Sequence, residues 1–317
     1  MNILVLGAGG FIGNHLVSQL VKQGHYVCGV DLKYPEFSES VANEFIITDL
    51  REFSNFTKFP NLKFDEIYQL AADMGGALYV FTGEHDSNIM TNSVTININT
   101  LKYICNCEQL QATVFFSSSA CIYPLYNQLN PANPKCNEAS AYPADPDSEY
   151  GWEKLFSERL YLAHAKNHNI NVRIARYHNI YGPLGTWDGG KEKSPAAICR
   201  KVIRASDSIE IIGNGQQTRS FLYIDDCVSA TVALVRSNIN FPINIGSEEM
   251  VTINQLADVA CSVENKILKK IYIDGPTGVP GRTSDNTLIK QHLNWSPAHS
   301  LTQGINKTYT WIQSQIN

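Results

Sequence analysis

Apolar residues in this chain collect in short unbroken runs, set between longer stretches where they recur at helical spacing. The runs are Ile3–Leu6, Val27–Asp31, Phe45–Leu50, Glu66–Ala72, Thr113–Phe116 and Asn171–Ala175, most of them rich in Val, Ile, Leu or Phe. Short apolar runs bounded by Gly, Asp or Ser read as buried strands. Between them the pattern predicts a helix ending near Gly24, one from about Asn92 to Cys107, and one over 150–166. Strand and helix in alternation give a parallel sheet with helices on both faces. The chain is therefore α/β, with a Rossmann-type doubly wound parallel sheet over 1–176. From about Leu184 the rhythm breaks: Leu184–Ser194 is rich in Gly and charge, followed by a helix over 195–205 and a short strand over 209–212. A second, smaller lobe over 177–317, interleaved with the sheet, follows from that change. No internal repeat or linker separates the two.

Composition mostly excludes. At 317 residues, 44% of them apolar and 17% charged, the chain can bury a large core. A net charge of -5 with no Lys/Arg-rich block argues against nucleic acid as a partner. No apolar run is long enough to span a bilayer, so no membrane partner is expected. The amino terminus is already strand and glycine turn, and no signal peptide is expected. The eight cysteines, at 28, 105, 107, 121, 136, 199, 227 and 261, lack the paired spacing of a zinc site. No metal is expected, and free thiols point to a reducing, cytoplasmic setting.

Candidate chemistry lies at the ends of the runs. Gly7, Gly10 and Gly13 follow the first strand, and with Phe11 and Ile12 they lead into the first helix. Missing side chains let the backbone approach a pyrophosphate, whose charge the helix N-terminus meets. Asp31 ends the second strand, 18 residues after Gly13. A carboxylate there accepts ribose hydroxyls and repels a 2′-phosphate, which favours NAD over NADP; Lys33 reads as a solvated surface charge. Ser119 and Cys121 follow the Thr113–Phe116 strand, at the mouth of the crevice where open α/β sheets bind ligands. Tyr150 and Lys154 are four residues apart and share a helix face, where the ammonium favours the phenolate. Gly75 and Gly76 follow the fourth strand and permit close backbone approach. Residues 177–317 then read as the smaller C-terminal substrate-binding lobe.

Ser119, Tyr150 and Lys154 together resemble the triad of the short-chain dehydrogenase/reductases. Longer strings are more specific: Ala-Ala-Asp-Met-Gly-Gly (71–76), Ser-Ser-Ala-Cys-Ile-Tyr-Pro (118–124), His-Asn-Ile-Tyr-Gly-Pro (178–183), Gln-Thr-Arg-Ser-Phe (217–221) and Gly-Arg-Thr-Ser-Asp-Asn (281–286). Asn-Ile-Gly-Ser (244–247), Gly-Thr-Trp-Asp-Gly-Gly-Lys-Glu-Lys (185–193) and Cys-Arg-Lys (199–201) extend the match. They are similar to the GDP-mannose 3,5-epimerase family, extended reductases with tightly held NAD that convert GDP-mannose to GDP-L-galactose and GDP-L-gulose. The resemblance implies Ser119, Tyr150 and Lys154 for hydride transfer, and Cys121 with Lys193 as the acid/base pair at the sugar carbons. It implies Asp49 and Leu50 at the adenine. Gly75, Gly76, Asn179, Glu192, Lys193, Lys201, Gln217, Arg219 and Arg282 fall at substrate-binding positions, the two arginines as clamps on the diphosphate. By analogy to the superfamily, helices near 92–107 and 150–166 would pair across a two-fold as a homodimer. The chain departs from the pattern at 77–90, at Ser194 and at Pro280; the first of these bears on sugar specificity.

A C–H beside a sugar hydroxyl is not acidic. Oxidising C4 to a ketone makes C3 and C5 both α to a carbonyl, which explains an epimerase that carries NAD without net redox change. The nearest rival is a GDP-4-keto-6-deoxymannose epimerase-reductase, which pairs its cysteine with a histidine and uses NADPH. A 4,6-dehydratase needs acidic residues after the serine, where Ala120 and Cys121 stand, and a plain 4-epimerase needs no Cys/Lys pair. A silent NAD-binding protein predicts erosion of a catalytic set that is intact.

Overall fold

In β1 (Asn2–Leu6) successive residues alternate between two cores: Ile3 and Val5 join one, Leu4 and Leu6 the other. A period of two with both sets apolar is what a strand covered on both faces requires. β5 (Thr113–Ser119) repeats it, with Phe115 on the first side and Val114 and Phe116 on the second. The computed structural model describes residues 1–106 and 109–316, and only the backbone of Ala77 and Leu78. It sets these strands in a seven-stranded parallel sheet with β2 (Tyr26–Asp31), β3 (Glu44–Ile47), β4 (Glu66–Gln69), β6 (Asn171–Tyr177) and β11 (Ile243–Ile245). The spatial order is β3-β2-β1-β4-β5-β6-β11. The direction of connection therefore reverses beside β1, which pairs with both β2 and β4. A crevice opens there beyond the carboxyl ends of the strands.

Helices α1 (Phe11–Lys22) and α6 (Ile224–Val235) cover one face, with Leu16, Leu20, Ala230 and Leu234 in the first core. On the other face lie α3 (Asp86–Asn106) and α4 (Glu149–His168), which pack on each other. The boundary expected at 176/177 falls at the end of β6. Beyond it β11 returns to pair with β6, and one core joins Leu16 and Val17 to Ile198, Leu256 and Ile312. The rest of the C-terminal half packs α5 (Ser194–Arg204), α7 (Ile253–Ser262) and α9 (Leu301–Ile316) together, with α8 (Thr287–Leu293) against β11. Small sheets complete it. β7 (Ile180–Tyr181) pairs with β10 (Leu222–Tyr223), and β8 (Ser208–Ile212) with β13 (Lys269–Ile273). β9 (Thr218–Ser220) lies between β12 (Met250–Thr252) and β14 (Gly281–Arg282).

Several boundaries shift from those the pattern predicts, each for a local reason. β3 stops at Ile47 because the Asp49 carboxylate accepts from Arg51 N and turns the chain. β4 stops at Gln69, whose side-chain oxygen takes the Ala71 N–H that a longer ladder would use. α3 begins at Asp86, six residues before Asn92. Asp86 favours that terminus through the helix dipole, and Ile89 buries the extra turn. Its expected end at Cys107 lies outside the described residues. The segment after Gly76 forms a single turn, α2 (Ala77–Val80). Helices α6 to α9 were not among the expected elements. Among the described residues no helix is long and apolar enough to cross a membrane, and no side-chain cluster could hold a metal ion.

Candidate active site

The turn from β1 into α1 is built on close backbone contacts. Gly7 has φ +88°, and a Cβ on Gly13 would sit 2.0 Å from Gly7 O. α1 starts with Gly10 as its N-cap, with no side-chain cap and no acidic residue in its first turn. The first N–H groups and the positive helix end, through Phe11, Ile12 and Gly13, are left to an external anion. Asp31 stands at the tip of β2 over this turn, accepting from Gly9 N at 2.9 Å and Leu32 N at 2.6 Å. Burial raises its carboxyl pKa, and those N–H groups oppose the rise. Asp49 is engaged by the Arg51 guanidinium at 2.6 Å, which holds its carboxyl below the usual range, and Leu50 is buried. Lys33 is exposed and paired with Glu36.

The second group sits where β5 ends and α4 begins. Ser148 caps α4 by accepting from Gly151 N, which starts the helix in time to place Tyr150 and Lys154 on its inner face. Both are buried, and the Tyr150 phenol lies within hydrogen-bond reach of the Ser119 hydroxyl. Lys154 Nζ donates to Ser117 O at 3.1 Å and lies 5.7 Å from the Tyr150 ring centroid. Burial pushes the Tyr150 phenol well up and the Lys154 ammonium down. The acidifying influences on the phenol come from Ser119 and Arg282, and desolvation outweighs them.

Ser119 and Tyr150 of this second group line a cleft together with Gly75, Gly76, Cys121, Asn179, Lys193, Arg219 and Arg282. Cys121 is half-buried, and its Sγ accepts from Arg282 Nη1 at 3.1 Å. Lys193 is the N-cap of α5, at the end of the Gly-rich loop. By area it is exposed, and it lines the cleft. Neighbouring protein costs its ammonium hydration and pushes its pKa down against the pull of Cys121. That loop leans directly on Gly76: Gly76 N donates to Lys191 O at 3.1 Å, and a Cβ at Gly76 would lie 2.5 Å from Glu192 O. The backbone that Gly76 admits is thus the one carrying Lys193. Arg219 donates to the carbonyls of Thr218 and Thr277, with no carboxylate among its hydrogen-bond acceptors in the described residues, and burial lowers its pKa to about 10. Arg282 is held by Asp147, Gln128 and Cys121. The Asn179 side chain donates to Ser220 O.

Three expected residues point elsewhere. Glu192 binds Arg200 at 2.6 Å and Gly190 N, Lys201 donates to Glu210 O, and Gln217 donates to Ile212 O. Conversely, Val80, Phe81, Phe221 and Thr277 line the cleft without having been singled out. The first two fall in the segment 77–90, whose divergence was their only signal.

The sequence profile of the NAD dependent epimerase/dehydratase family matches residues 3–246. The chain belongs to that family. Over its whole length it is 43% identical to GDP-mannose 3,5-epimerase 1 of Oryza sativa subsp. indica, of which it covers 82%. It superposes with a TM-score of 0.87 and 24% identity on a UDP-glucose 4-epimerase of Thermotoga maritima, each chain covered completely, which shows the fold. With TM-score 0.80, 26% identity and complete coverage of both chains, it is also similar to a UDP-glucuronic acid 4-epimerase of Bacillus cereus in complex with UDP-glucuronic acid and NAD. The cradle of this family member fits the family's cofactor. A turn that only glycine can form, the uncapped start of α1 and the Asp31 carboxylate match a dinucleotide's pyrophosphate and ribose hydroxyls.

Proposed function

We propose that the chain is a GDP-mannose 3,5-epimerase. The observation that carries this reading is that Cys121 and Lys193, from separate loops, line one cleft with Ser119 and Tyr150. NAD, when bound, supplies reversible hydride acceptance at the sugar C4. Tyr150, with Ser119 holding the oxygen, takes and returns the C4 hydroxyl proton. Beside a C4 carbonyl the hydrogens at C3 and C5 become exchangeable, and inversion needs a base on one face and an acid on the other. Cys121 and Lys193 fill those places; burial brings the lysine down toward the range in which it exchanges protons. Arg219, a half-buried cation whose hydrogen bonds among the described residues go to carbonyls, is suited to the diphosphate.

GDP-mannose incubated with the protein in D2O is expected to gain deuterium at C5, and at C3 when that centre inverts, while C4 keeps its hydrogen. NMR of the recovered sugar reads this out. Unlabelled C3 and C5 would refute the epimerisation; labelling of another nucleotide sugar alone would refute only the substrate. The protein functions in this reading as a cytoplasmic homodimer. Trp152 and Phe156, 41% and 49% exposed on α4, supply an apolar face, and the seven described cysteines are unpaired. A monomer by light scattering at working concentration would overturn the dimer.

A further inference from the structure

The Pro- and Asn-rich loop 125–148 contributed no candidate to the site, yet two of its buried side chains reach it through Arg282. Asp147 Oδ2 accepts from Arg282 Nη2 at 2.8 Å, and Gln128 Oε1 accepts from Nε at 2.5 Å. Nη1 donates to Cys121 Sγ at 3.1 Å. The Asp147 and Arg282 side chains are each 6% exposed, so this pair is shielded from the screening that weakens surface ion pairs.

A guanidinium is planar and always charged, so fixing two of its nitrogens aims the third. Aimed at a sulfur, it makes a charge-assisted hydrogen bond that favours thiolate over thiol. The other groups whose charge reaches Cys121 are Arg219, Lys193, Lys154 and Tyr150. Burial disfavours the charged form of each, Arg282 included, but the Asp147 carboxylate 2.8 Å away keeps the guanidinium charged. Among the described residues Arg282 is also the side chain that donates a hydrogen bond to that sulfur.

We propose that Asp147 and Gln128 are positioning residues that aim Arg282 at Cys121 and hold its sulfur as thiolate, ready to take a proton from the sugar. The proposal rests on the reading of Cys121 as a proton-exchanging residue. In the step it serves, the thiolate takes the proton from carbon and becomes a thiol. The C–H electron pair delocalises into the C4 carbonyl as an enolate, and the guanidinium keeps all its protons. Arg282 then acts chiefly on the thiol, and Arg219 is the cation left for the diphosphate.

The test is alkylation of Cys121 by iodoacetamide in the full-length protein without substrate, from pH 6 to pH 10, quantified at that residue by peptide mass spectrometry. The variants are Arg282→Lys, Arg282→Gln, Asp147→Asn and the double Arg282→Gln/Asp147→Asn. At pH 7, Arg282→Gln and Asp147→Asn are expected to slow alkylation about tenfold, with Arg282→Lys between them and the unsubstituted protein. The gap should close toward pH 10, where the thiol ionises unaided. Removing one partner of a buried pair also threatens folding. The double variant restores charge balance, and retained NAD reports an intact fold. It should alkylate as slowly as Arg282→Gln alone, because Asp147 acts only through Arg282. Equal rates at every pH would overturn the proposal. So would a gap constant across pH, which means access rather than charge, or a raised KM in Arg282→Gln with alkylation unchanged, which means a diphosphate clamp. Alkylation needs no sugar, so a failed deuterium experiment beside an intact gap would sink the epimerase reading and the proton-taking role with it, and leave only the aiming of Arg282 at a thiolate standing.

Discussion

The two sides of the cleft are built differently. On the hydride side, Ser119 ends β5 and Tyr150 and Lys154 stand on α4, a regular strand and a 20-residue helix packed on the sheet. On the proton-exchange side, Cys121 is the middle residue of a single 3₁₀ turn, Ala120–Ile122, and Lys193 caps α5 at the end of a Gly-rich loop. Arg219 and Arg282 come from strands of three and two residues. The first side is held by backbone hydrogen bonds, within α4 and between β5 and its neighbours β4 and β6. The second is held by side chains: Arg200 ties the Lys193 loop through Trp187 O, Asp188 and Glu192, and Arg282 ties Cys121 to the loop at 147. Placement of a reacting group within about 1 Å decides as much as 10²-fold in rate, so those ties belong to function as well as stability.

Breaking the hydride side should cost most. Tyr150→Phe removes the C4 proton carrier, and product formation and deuterium incorporation should both fall about 10⁴-fold, the upper end for a lost acid–base group. NAD content should not change; activity within tenfold of the starting protein would remove Tyr150 from its role. Next comes a test of the loop that carries Lys193. Gly76→Ala puts a Cβ 2.5 Å from Glu192 O, and the displaced Lys193 loop should lower kcat about 10²-fold while NAD is retained. An unchanged kcat would show that the loop yields without moving Lys193.

Arg200→Gln is milder, because Asp188 and Glu192 keep their backbone N–H partners at Gly189 and Gly190. We expect about a tenfold loss in kcat/KM, growing with temperature as the loop loosens. No loss would mean that Gly76 alone sets the loop. The smallest effect concerns stability. His178, buried beneath the proton-exchange side with Nε2 2.9 Å from Asn244 Oδ1, is pushed down to about 3 by desolvation. Between that value and its ordinary pKa near ~6.5 the unfolded chain binds a proton that the folded one refuses. Stability should therefore fall as pH drops through this window, by about 1.4 kcal/mol per unit for this group, and level off below it. Urea unfolding of His178→Asn between pH 4 and pH 7 should show a shallower slope; an identical slope would assign the acid sensitivity elsewhere.

What the sequence determined by itself is what depends on near neighbours. Gly7, Gly10 and Gly13 announce their turn because only missing side chains permit a Gly13–Gly7 approach of that kind. Tyr150 and Lys154 share a face because helical geometry imposes it, and runs such as Ile3–Leu6 mark strands because both faces are covered. Family strings carried Cys121, Lys193 and the arginines as names without partners. Only the tertiary structure decided which groups those side chains serve. Glu192 answers Arg200, Arg282 answers Asp147 and Cys121, and Gly76 makes room for the loop of Lys193. Arg282 lies 135 residues from Asp147 and 161 from Cys121. A guanidinium's choice between a carboxylate, a thiol and a phosphate depends on distances of a few ångströms after the chain has closed, and no local pattern carries that information.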